Sequence, residues 1–248
     1  MSADELTAEV APGIAYRAFV EAASSCRTEA EFRASRFFRE NGEALESVLS
    51  KPQIEAHPAT RPSGRDDDRL RVVHWNIEKG KELPLIIRRL TTDPVLRAAD
   101  LYCLNEVDVG MARSGGNAHV ARVLAEALGC HSVFVPSYLE CTKGPGAEAE
   151  APGENRRGWH GLAILSRIPI ESARVVALPH CFDYFDFFEK RFGRRQGLVA
   201  RIRWQGAPLE VVTTHLEVRN TPACRARQME ALLQGIGAEE PVARVLTG

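Results

Sequence analysis

The stretch Leu101-Tyr102-Cys103-Leu104-Asn105-Glu106-Val107-Asp108 decides the fold. It is an apolar run that closes on polar residues. A buried strand delivers side chains to the rim of a sheet in this way. Two further stretches have the same grammar. One ends in His74-Trp75-Asn76-Ile77-Glu78-Lys79-Gly80, and the other is Val212-Thr213-Thr214-His215-Leu216-Glu217.

Outward from these, strands and helices alternate. Residues 70–77, 101–105, 132–138, 161–165 and 170–178 read as strands. Residues 81–98 read as a helix with Pro84 in its first turn, and residues 117–128 as a helix ended by Gly129. Residues 198–204 and 209–214 form an expected hairpin around Gln205-Gly206-Ala207-Pro208. A helix over 221–235 and a strand over 242–247 follow. Residues 144–158, rich in Gly, Pro, Ala and Glu, read as a flexible loop. Strands that come both singly with helices and in hairpins imply a mixed α/β structure.

Residues 1–50 differ in kind. They read as an N-terminal helical segment, with Thr28-Glu29-Ala30-Glu31 fitting a capping box. Residues 51–69 hold three prolines and Asp66-Asp67-Asp68 and read as a linker. Residues 70–248 form the domain that carries the chemistry.

The 248 residues suit one large domain or one domain with an appendage. The 44% hydrophobic and 26% charged shares are those of an ordinary globular protein. A net charge of −1 gives no global attraction to nucleic acid, though it allows a local basic groove. None of the six cysteines forms a Cys-x-x-Cys pair, which argues against zinc. The start, Met1-Ser2-Ala3-Asp4-Glu5, has no basic-then-apolar pattern, and no run of about 18 apolar residues occurs. The expectation is a cytoplasmic, reduced protein.

Glu106 ends an otherwise apolar strand, where a bare carboxylate is costly unless a cation or donor pairs with it. It is the best metal candidate; the bland alternative is a loop salt bridge. Asn76 offers an amide to a metal-bound water, a phosphate oxygen or Glu106. Glu78, two residues on, shares a face with Asn76 if the strand continues. His215 suits proton transfer near neutrality, although a lone histidine there is often a core residue. Arg113, Arg194 and Arg195 offer forks of donors suited to phosphate. Phe182, Tyr184, Phe185, Phe187, Phe188 and Phe192 crowd one segment, and sheet cover is the commoner use of such a cluster.

Together and in this order, the three stretches and His160-Gly161-Leu162-Ala163-Ile164-Leu165-Ser166-Arg167 resemble the endonuclease/exonuclease/phosphatase superfamily, which has the DNase I-like fold. The resemblance covers about residues 70 to 248. It implies an α/β/β/α sandwich of two sheets and hydrolysis of phosphodiester or phosphomonoester bonds with Mg²⁺ or Mn²⁺. Glu106 would be the main metal ligand beside Asn76, with Glu78 a secondary one. His215 would approach the scissile phosphate as donor or general acid. His160, where some nucleases have a glutamate, would support it. Arg113 and Arg195 would join Asn76 and His215 in binding substrate. Leu162 replaces an asparagine common in relatives.

In that family Val-Leu-Thr-Gly is followed by Asp-x-Asn and later by Asp-His. Here the sequence stops at Val245-Leu246-Thr247-Gly248. The expectation is therefore an incomplete sandwich that is inactive as given. Asp108 stands where some DNA-cleaving members place a basic residue. Small-molecule or lipid head-group phosphoesters are thus expected over duplex DNA. The competing class is a non-catalytic module that binds phosphate ligands or nucleic acid.

Overall fold

The apolar residues of the strands divide into separate clusters, and that division builds the layers. The computed structural model describes residues 8–58, 68–237 and 242–248. The middle of the expected linker, including Asp66 and Asp67, lies outside the described residues. The elements in chain order are β1 (Glu9–Ala11), β2 (Ile14–Ala15), α1 (Tyr16–Ser24), α2 (Glu29–Ala34), α3 (Arg36–Ser50), β3 (Gln53–Glu55), β4 (Val72–Lys79), α4 (Leu83–Thr92), β5 (Leu101–Val109), α5 (Val120–Leu128), β6 (His131–Glu140), β7 (Trp159–Ser166), β8 (Ile170–Ala177), β9 (Arg191–Gly193), β10 (Gln196–Trp204), β11 (Ala207–Thr214), α6 (Pro222–Gly237) and β12 (Ala243–Thr247).

One sheet has the order β3-β6-β7-β5-β4, with β9 paired to β6, and the other has the order β12-β11-β10-β8. Leu101, Cys103, Val133, Val135, Leu162 and Ile164 meet Leu198, Ala200, Ile202, Leu209 and Val211 between the sheets. On the outer face of the larger sheet, Tyr102, Leu104, Ala163 and Leu165 pack with α4, α5 and the N-terminal helices. On the outer face of the smaller sheet, Val176, Val199 and Val212 pack with Leu232 and Ile236 of α6. The result is the α/β/β/α sandwich.

The N-terminal segment shares the outer core. Phe32 is fully buried, and its ring lies 5.3 Å from Phe185 and 5.4 Å from Phe192. Three of the crowded aromatics, Tyr184, Phe185 and Phe192, are thus core, whereas Phe188 is 57% exposed. The Thr28 hydroxyl caps α2 by accepting from Glu31 N at 3.1 Å, and the Glu31 carboxylate reaches back to Arg27 N.

Three local expectations are corrected. The helix expected over 81–98 ends at Thr92, because Pro94 holds Asp93 out of the helical region (ψ 125°), and only a short 3-10 turn follows over Leu96–Ala98. The hairpin turn is two residues, Gln205-Gly206, both with positive φ, so β11 begins earlier at Ala207. Against the expectation of a reduced protein, Cys181 and Cys224 form a disulfide between the aromatic segment and α6. Among the described residues no helix is long and apolar enough to cross a membrane.

Candidate active site

Parity along β5 shows how the site is made. Leu101 and Cys103 face the other sheet and Tyr102 and Leu104 the helices, as alternation requires. Beyond Glu106 the parity flips, because Val107 and Val109 belong to the helix side. The pairing of β5 with β7 slips between Asn105 and Val107, and Glu106 has φ 55°. This is a β-bulge, which re-aims side chains at the end of a strand. It brings Asp108 level with His160 of β7. Gly161 is needed beside it, since a Cβ there would lie 1.9 Å from Val135 O of the neighbouring strand.

The bulge places Glu106 among donors. Asn76 Nδ2 donates to Glu106 Oε1 at 3.0 Å, and His215 Nε2 lies 3.4 Å from the same oxygen. Burial raises the Glu106 pKa, but the hydrogen bonds from His215 and Asn76 and the proximity of His160 outweigh it. The carboxyl is held below its ordinary value while its side chain stays 23% exposed. Burial, with Arg195 and His160 nearby, pushes the His215 pKa down against the pull of Glu106. Asn76, Glu106, His160 and His215, far apart in sequence, thus meet at one rim between the sheets. Asn105 ties that rim together: its Nδ2 donates to Thr214 O at 2.9 Å and its Oδ1 accepts from Thr213 Oγ1 at 3.2 Å.

Behind His160 lies a carboxylate that sequence reading did not assign a role. Asp108 is fully buried and accepts from His160 Nδ1 at 2.7 Å, Arg113 Nε at 2.8 Å and Ser114 Oγ at 2.7 Å. Burial opposes its charge, but Arg113 and His160 outweigh burial and bring its pKa to about 2. Strict alternation from Leu104 would have set Asp108 beside it on the helix side, and only the bulge reverses this. A signal was present in the sequence: a second acid two residues after Glu106, followed by Arg113-Ser114.

Two expected residues have other surroundings. Glu78 turns away from Glu106, because Glu78, Lys79 and Gly80 all have positive φ; its side chain is 75% exposed and pairs with Lys81 at 2.6 Å. Its backbone N–H instead fixes Asn76 by donating to Oδ1 at 3.0 Å. Arg113, expected at the substrate, is buried. Its side chain is 1% exposed and is enclosed by Asp108 and by Glu148 at 3.1 Å. Arg195 lies near the rim, 3.5 Å from Glu217, which also accepts from Tyr184 Oη at 2.7 Å. Gln228, fully buried, accepts from Glu217 N and donates to Pro179 O, a structural role.

Glu106 and Asn76 are the oxygen donors that the rim offers a divalent cation. Glu106 is an ionised, partly exposed carboxylate with an amide beside it. That fits a hydrated Mg²⁺ ion, which binds through one or two carboxylates and keeps several waters. Among the described residues no three His, Cys, Asp or Glu side chains group to hold a metal, so a site built from protein ligands alone does not fit.

Fold and rim together define a two-sheet sandwich with Asn76, Glu106, His160 and His215 grouped at one rim. No protein-family model matches the chain, and no curated protein matches it. Among solved structures it is similar to an endonuclease/exonuclease/phosphatase from Beutenbergia cavernae, with 22% identity over 71% of this chain and 46% of that one and a TM-score of 0.45. A family protein from Leptotrichia buccalis gives 16% identity over 72% and 66%, with a TM-score of 0.47. The human Nocturnin catalytic domain, solved with bound sulfate, gives 17% over 79% and 65%, with a TM-score of 0.46. The chain spans 46% to 66% of the length of these three. At these identities and scores the likenesses assign no activity.

Proposed function

We propose that this protein belongs to the endonuclease/exonuclease/phosphatase superfamily and acts in Mg²⁺- or Mn²⁺-dependent hydrolysis of a phosphoester. The observation that carries this reading is the Glu106 carboxylate, kept ionised and partly open at a rim shared with Asn76, His160 and His215. Held at Glu106 with Asn76 beside it, the cation would supply neutralisation of phosphoryl charge.

The chain's own residues supply the rest. Asn76, fixed by the Glu78 N–H, orients Glu106. His215, with Arg195 nearby, would donate a hydrogen bond or a proton to the substrate phosphate. Asp108 accepts at Nδ1 of His160 and so leaves Nε2 of that ring for the rim. Small-molecule and lipid head-group phosphoesters are favoured over duplex DNA. The net charge is −1, and Arg113 is held by Asp108 and Glu148.

The test is a phosphoester panel run with Mg²⁺, Mn²⁺ or chelator on the whole protein that contains this chain, alongside Mn²⁺ binding followed by electron paramagnetic resonance. Metal-dependent turnover and Mn²⁺ binding that both fall in Glu106→Gln are expected. Mn²⁺ binding unaffected by that substitution would refute the metal assignment. Turnover of duplex DNA that falls steeply with salt would reverse the substrate preference.

A further inference from the structure

A second cleft, apart from the catalytic rim, opens where α3 ends against the edge strand β8. Its volume is about 830 Å³, within the range of about 300–1,000 Å³ typical of small-molecule sites. Leu49, Pro52, Val175 and Ala177 give the cleft its apolar lining, and Glu46, Ser50, Ser137 and Gln196 are polar lining beside them. β8 is the edge of its sheet, so among the described residues no strand pairs with its outer side.

Four cations line the same cleft, and they are not equivalent. Arg33 is neutralised by Glu29 at 2.7 Å and Glu46 at 2.6 Å, and Arg174 by Glu210 at 3.4 Å. Lys51 and Arg194, both exposed, form no ion pair with a described residue. Arg194 is adjacent to Arg195, yet the two serve different places: Arg195 pairs with Glu217 near the rim, and Arg194 lines the cleft. Two cations of unmatched charge beside an apolar lining select a ligand with an anionic head and an apolar body. A guanidinium fork with an ammonium suits a phosphate-like head.

We propose that this cleft is a second binding site, for a small organic phosphate or phosphonate whose head lies against Lys51 and Arg194 and whose apolar part lies along Leu49, Pro52 and Val175. The proposal does not depend on the catalytic reading, because neither cation belongs to the rim.

Isothermal titration with n-hexylphosphonate, which cannot be hydrolysed as an ester, tests it. One molecule is expected to bind, with methylphosphonate about tenfold weaker or more, since the added methylenes lose their apolar wall. Lys51→Glu and Arg194→Glu are each expected to weaken binding about tenfold or more, with unchanged thermal melts. His215→Ala is expected to leave it unchanged. Equal affinities for the two phosphonates, binding insensitive to both charge reversals, or binding lost in His215→Ala would each overturn the proposal. The last of these would place the ligand at the catalytic rim.

Discussion

Asp108 Oδ1 lies 2.7 Å from His160 Nδ1, and the carboxylate is fully buried. An ionised carboxylate only accepts, so His160 carries its proton on Nδ1 and turns Nε2 to the rim. Asp108→Asn should therefore disturb the ring's tautomer as well as its position. We expect turnover to fall by about 10²–10⁴-fold. Stability should also fall, by about 1–3 kcal/mol, because Arg113 keeps Glu148 but loses its charged hydrogen-bond acceptor Asp108. Adding Arg113→Met should recover stability but not turnover. Normal turnover in the single variant would remove Asp108 from the site.

Glu106→Gln keeps the shape of the side chain and its contact with Asn76 but removes the charge. Turnover and Mn²⁺ binding should both be lost while the protein stays folded with a slightly lowered melting temperature, since the partners that hold the carboxyl below its ordinary pKa outweigh its burial. Retained activity with an unchanged metal requirement would contradict the assignment.

His215 touches Glu106 directly, whereas His160 is held from behind by Asp108. His215→Ala should consequently cost more turnover than His160→Ala. Steady-state rates for the two variants decide it, and an equal or reversed order would exchange their roles.

Much of this rim was legible in the sequence, because apolar strands that end in polar residues announce where a sheet stops. Asn76, Glu106 and His215 each sit at such an ending, and His160 stands at the start of an apolar strand that runs antiparallel to β5. What escaped the sequence depends on backbone outliers. Glu106 and Glu78 both have positive φ without being glycine. At Glu106 the bulge brings Asp108 round to His160, and at Glu78 the turn carries a side chain away from the site. Neither follows from alternation. The fate of Arg113 was equally hidden, because a buried carboxylate partner can be seen only after the strands are in register. The helical segment was recognisable from its capping box, but its packing on Phe185 and Phe192 was not, since no local pattern links positions so far apart.

That packing gives a prediction of its own. Phe32 has no exposed surface and meets Phe19, Phe37, Phe38, Phe185 and Phe192. Phe32→Ala should cost about 3–5 kcal/mol. The loss should appear as a single lowered transition, not as early melting of the N-terminal helices alone. A calorimetric trace with an unchanged main transition would show that these helices do not stabilise the sandwich.

His119 offers a pH dependence remote from the rim. Its Nδ1 accepts from Arg122 N and caps α5, and its ring packs edge-on to Phe134. Burial first, then the charge of Arg122, push its pKa down from 6.5 to about 4. The unfolded chain therefore binds the proton more readily than the folded one. The stabilising contribution is complete above pH 6.5, is lost progressively as pH falls, and is gone below about 4. Linkage puts it on the order of 3 kcal/mol. His119→Asn keeps a capping oxygen without a titrating ring. Urea melts of this variant should vary less between pH 4 and 6.5 than those of the parent. If both lose stability equally across that interval, His119 is not the group responsible.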